Sequence, residues 1–342
     1  MLPEDTRLVV LGCNHHRTPL EVREKMALGV DAVGRLQQRM LAENSIREGL
    51  ILNTCNRIEM YALTVDGDWR NLLAGFLEEQ NHFPTGSFLE YAYAFEDEEA
   101  VAHAFAVASG LDSQMVGETQ ILGQMKDAYG DSVQAGNVGS VFHRLFQKAF
   151  QAAKWARSET GITSGQVSLG NVAVELATRI FGRLKVSRTL VVGSGEVGRE
   201  VARAFRSRGV ACISIASRTP ERAESLSREI DGLVIPYSTW EESLPYIDIA
   251  IFATSAPEVI LTEEKLRTAL GKRPQRPIFL IDLAVPRDID AAINRMGTCY
   301  LYNLEDLAAI ANENLASRQQ EVDACRSSLR ERAQRLWRQL AG

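Results

Sequence analysis

At 342 residues, 45% hydrophobic and 24% charged, the chain has the composition of a soluble globular protein too long for one core, so two domains are expected. A formal net charge of -6 excludes a generally basic nucleic-acid binder, and any such partner has to be met by a local basic face. No apolar run approaches a membrane span and no charged-then-apolar leader opens the chain, so a cytoplasmic protein is expected; five scattered cysteines without a CxxC pair leave no disulfide framework and no metal site.

In chain order, residues 7–12 predict a strand, and Pro19 opens a helical run over 20–26. His15-His16 is an adjacent pair whose side chains are expected to diverge. A second helix is expected over about 31–43, with Val33, Leu36, Met40 and Leu41 on one face. Gly49–Leu52 predict a short strand that stops at Asn53-Thr54-Cys55-Asn56-Arg57. Ile58, Met60, Ala62 and Thr64 then alternate with Glu59, Tyr61 and Leu63 in a return strand. The periodicity is helical from about 97 to 160, so 1–160 is predicted to be an α+β domain.

Beyond a helix over 168–182, apolar strands at 190–192, 211–216, 247–253 and 278–285 alternate with amphipathic helices. That pattern predicts a Rossmann-like doubly wound α/β domain, 161–302, with its parallel strands covered on both faces. After strand-like 299–302, Asn303 with Asp306 resembles a helix start, and no Gly or Pro follows until Gly342. Leu315, Val322, Leu329 and Leu336 recur every seven residues, so 303–342 is predicted to be one long C-terminal helix.

Gly193-Ser194-Gly195-Glu196-Val197-Gly198 lies between a predicted strand and helix, where glycines allow a tight turn and close approach to a pyrophosphate held by helix amides. The competing explanation is a glycine turn that binds nothing. The next strand ends Ala216-Ser217-Arg218-Thr219, without the carboxylate that would repel a 2′-phosphate. Arg218 offers a charged fork and Ser217 a hydroxyl, so NADPH is expected rather than NADH; Thr219 before Pro220 is also explained as a helix cap.

Cys55 lies among polar side chains at a strand end, with Thr54, Asn56 and Arg57 beside it. It is a candidate thiolate nucleophile, although cysteine is also commonly a small buried hydrophobe. Cys13, Cys212 and Cys299 lie in or beside apolar strands, and Cys325 on the last helix. Thiol and nicotinamide together suit passage between acyl and aldehyde oxidation states. The run Gly110-Leu111-Asp112-Ser113…Gly117-Glu118-Thr119-Gln120…Gln124 fits either a pocket for a small polar ligand or a solvated helix–loop–helix. His103 sits on an apolar helix face, where packing is the commoner role.

Asn53 to Tyr61 and Gly110 to Lys126 resemble two signature segments of the glutamyl-tRNA reductases. Further similar segments are Gly12–His15 with Pro19 and Arg23-Glu24, Arg157–Thr160, and Ile281–Asp290. The resemblance implies that Cys55 attacks the ester of glutamyl-tRNA and that NADPH on 193–198 reduces the thioester to glutamate-1-semialdehyde, a tetrapyrrole precursor. Thr54, Asn56, Arg57, Ser113, Glu118, Thr119, Gln120 and Gln124 match glutamyl-binding positions, and His103 matches a histidine needed for activity. For these groups, Glu118 is expected to meet the α-amine and Arg57 the carboxylate.

Thr119 replaces the family's usual proline, and His16-Arg17-Thr18 its Lys-Thr-Ala. Typical members continue into a helical dimerisation domain, so 303–342 is expected to be part of one; a homodimer and contact with the downstream aminomutase are implied partners. Arg318, Arg326, Arg330, Arg332, Arg335 and Arg338 outnumber the carboxylates near them. That excess is read either as a solvated face, with the leucine stripe packed on a neighbouring domain, or as a surface for tRNA phosphates.

Overall fold

A computed structural model describes residues 2–26, 28–54, 56–81, 83–160, 162, 168–271, 273, 276–313 and 319–342. In order these form β1 (Arg7–Asn14), α1 (Leu20–Met26), α2 (Val30–Ala42), β2 (Ile46–Asn53), β3 (Arg57–Thr64), α3 (Trp69–Asn81), β4 (Tyr93–Glu96), α4 (Asp97–Ala108), α5 (Gln120–Gln134) and α6 (Ser140–Glu159). There follow α7 (Leu169–Phe181), β5 (Arg188–Val192), α8 (Glu196–Ser207), β6 (Cys212–Ala216), α9 (Pro220–Ile230), β7 (Leu233–Val234) and α10 (Trp240–Ser243). The chain closes with β8 (Ile249–Phe252), α11 (Glu263–Leu270), β9 (Ile278–Asp282), β10 (Cys299–Asn303), α12 (Leu304–Glu313) and α13 (Gln319–Ala341). Among the described residues no helix is long and apolar enough to cross a membrane.

The chain divides into two compact units, Met1–Gln166 with Leu315–Gly342, and Val167–Asn314. In the first, an antiparallel sheet of order β2-β3-β1-β4 separates two helical layers. Period-two alternation sorts the side chains between them. Leu8, Val10, Leu50, Leu52, Tyr61 and Leu63 pack against α4, α5 and α6. Val9, Leu11, Ile51, Met60 and Ala62 form the other core with Leu36, Met40 and Leu73. β2 begins earlier than its apolar run suggested, because Glu48 turns inward and accepts from the amides of Val141 (3.1 Å) and Phe142 (2.7 Å) at the start of α6. Leu41, expected on the buried face of α2, is exposed; it stands about 100° round the helix from Met40, which takes the core position.

At the C-terminus the described residues form α12 in the second unit and α13 in the first, and residues 314–318, where the expected single helix would join them, lie outside the described residues. α12 starts with reciprocal caps, Asn303 N to Asp306 Oδ2 and Asp306 N to Asn303 Oδ1, both 2.9 Å, and packs on α7 and β10. α13 lies against α4 and α6 of the first unit, burying Val322, Leu329 and Leu336 with Cys325, Ala333 and Leu340. The heptad stripe is therefore already packed on a neighbouring surface; Leu315 falls outside the described residues.

The second unit is a parallel sheet of order β10-β9-β8-β5-β6-β7. One face buries Leu190, Val192, Ala250, Phe252 and Leu280 with Trp240, Leu244 and Leu266. Strand order reverses between β5 and β8, which opens a crevice at their carboxyl ends, the place where such sheets bind dinucleotides. β8 and β9 stop short of the predicted ends because Ala253 and residues 283–285 form loops there.

Candidate active site

The turn joining β2 to β3 is built by Thr54. Its amide donates to Arg57 O at 2.8 Å, and its hydroxyl accepts from the amides of Asn56 (3.2 Å) and Arg57 (3.1 Å). Asn56 is fixed twice, its carbonyl accepting from His15 N at 3.1 Å and its Oδ1 from Arg23 Nη1 at 3.3 Å. Cys55, between them in sequence, lies outside the described residues. The other four cysteines are free, Cys13 and Cys325 buried. Burial pushes the Cys13 thiol up to about 11 and also raises Cys299 and Cys325, which disfavours the thiolate at all three.

Below the turn lies a polar network that the sequence did not reveal. Glu59, wholly buried on β3, accepts from Arg57 Nη1 (2.6 Å), Tyr61 Oη (2.6 Å) and Tyr93 Oη, and its Oε1 lies 2.8 Å from His103 Nε2. Burial pushes the Glu59 carboxyl up, but His103, Arg57 and the Tyr61 hydroxyl outweigh it and hold it well below the usual range. Burial and Glu59 together raise both tyrosines. His103 also stacks on Phe95, ring centroids 4.6 Å apart. The expected packing histidine is therefore packed and also bonded to a carboxylate. The signal available in the sequence was an acid on the inward face of an apolar strand.

Arg57 is engaged within the protein. Its guanidinium is 3% exposed, Nη1 is held by Glu59, and Nη2 by the carbonyl of Asp112 and by Asp112 Oδ2 at 3.0 Å. Because this face of β3 is covered by helices, both terminal nitrogens bind protein groups. Arg57 instead anchors the Asp112–Ser113 loop beside the Thr54 turn, and Asn14 Nδ2 joins it by donating to Asp112 Oδ2 at 3.0 Å.

That loop closes through Gly110 and Gly117, both left-handed (φ +74° and +86°), with Gly117 N donating to Gly110 O at 2.8 Å. Ser113 is buried and its Oγ has no partner among the described residues, so a ligand hydrogen bond would satisfy it. Glu118, Gln120 and Gln124 are half-buried along the start of α5; Thr119 is exposed, precedes that helix without a side-chain cap, and accepts Arg157 Nη2 on its carbonyl at 3.0 Å. His15 and His16 do not diverge: a turn after β1 brings their ring centroids to 3.9 Å. Burial, then His16 and Arg57, lower His15 to about 3, and both its ring nitrogens lack partners among the described residues.

In the second unit the three glycines divide the work. Gly193 has φ +106°, and a Cβ there would stand 2.2 Å from Ala253 O. A Cβ on Gly198 would stand 2.6 Å from Gly193 O, so its absence lets α8 sit on the turn. Gly195 precedes α8 and faces open space, with Glu196 exposed and Val197 half-buried in the first turn. At the end of β6 the hydroxyls of Ser194 and Ser217 pair at 2.8 Å, and exposed Arg218 donates to Ser255 Oγ at 3.1 Å. Thr219 makes no side-chain cap; Ser217 Oγ accepts its amide at 3.3 Å instead. An open turn, helix amides and an exposed arginine suit a dinucleotide.

The Ile281–Asp290 segment supports this crevice. Asp282 accepts from the amides of Ala284 (3.1 Å), Asp288 (3.3 Å) and Ile289 (2.9 Å). Asp288 in turn holds Thr254, amide at 2.9 Å and hydroxyl at 2.6 Å, directly after the Ala253 that Gly193 packs against.

Residues 11–160 match the family described as glutamyl-tRNAGlu reductase, N-terminal domain, and residues 175–310 the shikimate/quinate 5-dehydrogenase family. Glutamyl-tRNA reductase of Natranaerobius thermophilus is 38% identical over 92% of this chain and 69% of its own. That of Magnetococcus marinus is 40% identical over 93% of this chain and 76% of its own. The solved glutamyl-tRNA reductase from Methanopyrus kandleri, 34% identical, covers 99% of this chain and 81% of its own with a TM-score of 0.53. On these likenesses, the chain belongs to the glutamyl-tRNA reductase family.

Proposed function

We propose that this protein reduces the glutamyl group of glutamyl-tRNA to glutamate-1-semialdehyde with NADPH, through a thioester on Cys55. It is an oxidoreductase of the first step of the C5 route to tetrapyrroles, and its second unit is a nicotinamide-cofactor domain. The observation that carries the reading is the Thr54–Arg57 turn, locked through Arg57 to Asp112 and the unpartnered Ser113 hydroxyl. This arrangement ties the backbone at Thr54 and Asn56 to the Asp112–Ser113 loop through Arg57, a preorganised polar frame.

The Cys55 thiolate adds to the ester carbonyl, and the C–O bond to the tRNA 3′-oxygen breaks, leaving a thioester and deacylated tRNA. Thr54 and Ser113 hydroxyls and the Asn56 side chain orient the acyl group, and Glu118 with Gln120 and Gln124 takes the amine and carboxylate ends. Gly193, Gly195, Gly198, Ser217 and Arg218 would hold NADPH, which would supply a hydride to the thioester carbonyl carbon, the C–S bond breaking to give the aldehyde and return the Cys55 thiolate. His103, held by Glu59, would position or move a proton in the reaction.

A reductase of free acyl phosphates is the competing enzyme. NADPH oxidation with purified glutamyl-tRNA, free glutamate and glutamyl phosphate separates them. The proposal expects oxidation with glutamyl-tRNA alone; turnover of glutamyl phosphate without tRNA would replace it.

A further inference from the structure

The buried side of α13 fastens it to α4 and α6 through Val322, Leu329 and Leu336. Two clefts open along the seam. One, of about 290 Å³, has Phe95 and His103 on its floor, with Glu99, Arg326 and Arg330 among its walls. The second, of about 200 Å³, is lined by Lys148 and Gln151 of α6 and by Arg332 and Arg335 of α13. The Arg332 guanidinium lies 4.1 Å from the Trp155 ring centroid, which fixes its plane.

The cations of this seam are not neutralised from within. Among the described residues Arg326, Arg330, Arg332 and Lys148 form no ion pair, and Arg335 has only Glu331 at 3.8 Å, both side chains largely exposed. Exposed pairs of that length hold little. Five cations against the single carboxylate of Glu99 line the two clefts, in a chain whose formal charge is -6. Clefts lined by one sign concentrate the field and draw polyanions of the opposite sign. Phe95 and His103 give the first cleft an aromatic lining, and Trp155 lies under the Arg332 guanidinium beside the second. Because the apolar stripe is already packed, the helix is a rigid platform and its arginines need little ordering to meet a ligand.

We propose that the α13 seam with α4 and α6 is the docking surface for the phosphate backbone of the tRNA near its acylated end. This rests on the substrate reading above and adds to it where the RNA lies. The cleft that holds Arg326 and Arg330 has His103 in its floor, so phosphates bound there lie beside the network that reaches the Thr54 turn.

The test uses the full chain and two double variants, Arg326→Ala/Arg330→Ala and Lys148→Ala/Arg335→Ala. Affinity for uncharged tRNA is measured by fluorescence anisotropy from about 50 to 200 mM salt, alongside turnover of glutamyl-tRNA and of a glutamyl ester of adenosine. Each pair should lower the slope of log affinity against log salt by about two and raise the KM for glutamyl-tRNA severalfold. The adenosine ester should be turned over as by the unaltered chain, and Arg→Lys versions should restore affinity. Unchanged slope and affinity in both variants would overturn the surface. Should the unaltered chain fail to reduce glutamyl-tRNA, the substrate reading falls separately, and the slope for uncharged tRNA still decides the docking surface.

Discussion

Nε2 of His103 lies 2.8 Å from Oε1 of Glu59, and the same oxygen takes Arg57 Nη1 at 2.6 Å, so one buried carboxylate joins the α4 histidine to the strand that follows the Thr54 turn. Glu59→Gln should therefore act on both. Removing one partner of a buried ion pair typically costs about 3–5 kcal/mol, which the urea midpoint of the first unit reads. The folded Glu59 carboxyl lies well below its unfolded value, so its stabilisation is complete above about pH 4.3 and is lost as pH falls below that. The glutamine variant should show a shallower loss of stability on acidification. An acid profile identical to that of the unaltered protein would contradict the part given to Glu59.

Two glycines of the cofactor turn should fail in different ways. Gly193→Ala places a methyl against Ala253 O in a left-handed backbone, so it should lower both thermal stability and cofactor affinity. Gly195→Ala meets no protein atom, so it should keep the melting temperature yet lose NADPH, because its methyl occupies the approach to the pyrophosphate. Calorimetry with a cofactor titration checks both, and full affinity in Gly195→Ala would remove the pyrophosphate from this turn.

Arg218→Ala should weaken NADPH far more than NADH, by about 1–3 kcal/mol for a lost charged hydrogen bond. Its neighbour Ser255 is also polar and stays, so the fold at the end of β6 should be untouched. Nicotinamide fluorescence titrations give both constants; equal losses for the two cofactors would count against the 2′-phosphate.

Burial outweighs the three backbone donors to Asp282 and pushes its carboxyl up to about 7. The folded value lies above the unfolded one near 3.9, so the stability this group gives is present below about pH 4 and is lost as pH rises toward 7. Asp282→Asn should flatten that decline, measured as melting temperature across the range. A steeper decline in the variant would show that the carboxylate is held charged.

Much of this was legible from local pattern, because it depends on neighbours in sequence. The glycine turn, the alternation of apolar strands with helices and the Asn303–Asp306 cap all rest on short-range spacing. The long-range polar network was not legible. Glu59, His103, Tyr93 and Asp112 come from separate elements: the antiparallel register of β1, β3 and β4 brings Glu59 and Tyr93 together, and the packing of α4 on the sheet adds His103. The internal partner of Arg57 was hidden for the same reason, since Asp112 is 55 residues away. The fate of the heptad stripe was open in the sequence, because a narrow apolar seam fits a second copy as well as α4.

The central claim is a covalent glutamyl group on Cys55, and its most direct test is intact-protein mass spectrometry after mixing with glutamyl-tRNA in the absence of NADPH. The account predicts that the chain gains the mass of one glutamyl group, that the peptide holding Cys55 carries it, that NADPH then discharges it as the aldehyde, and that Cys55→Ser folds normally but neither gains the group nor oxidises NADPH. Continued reductase activity in Cys55→Ser, or steady NADPH oxidation with no acylated protein trapped, would contradict it.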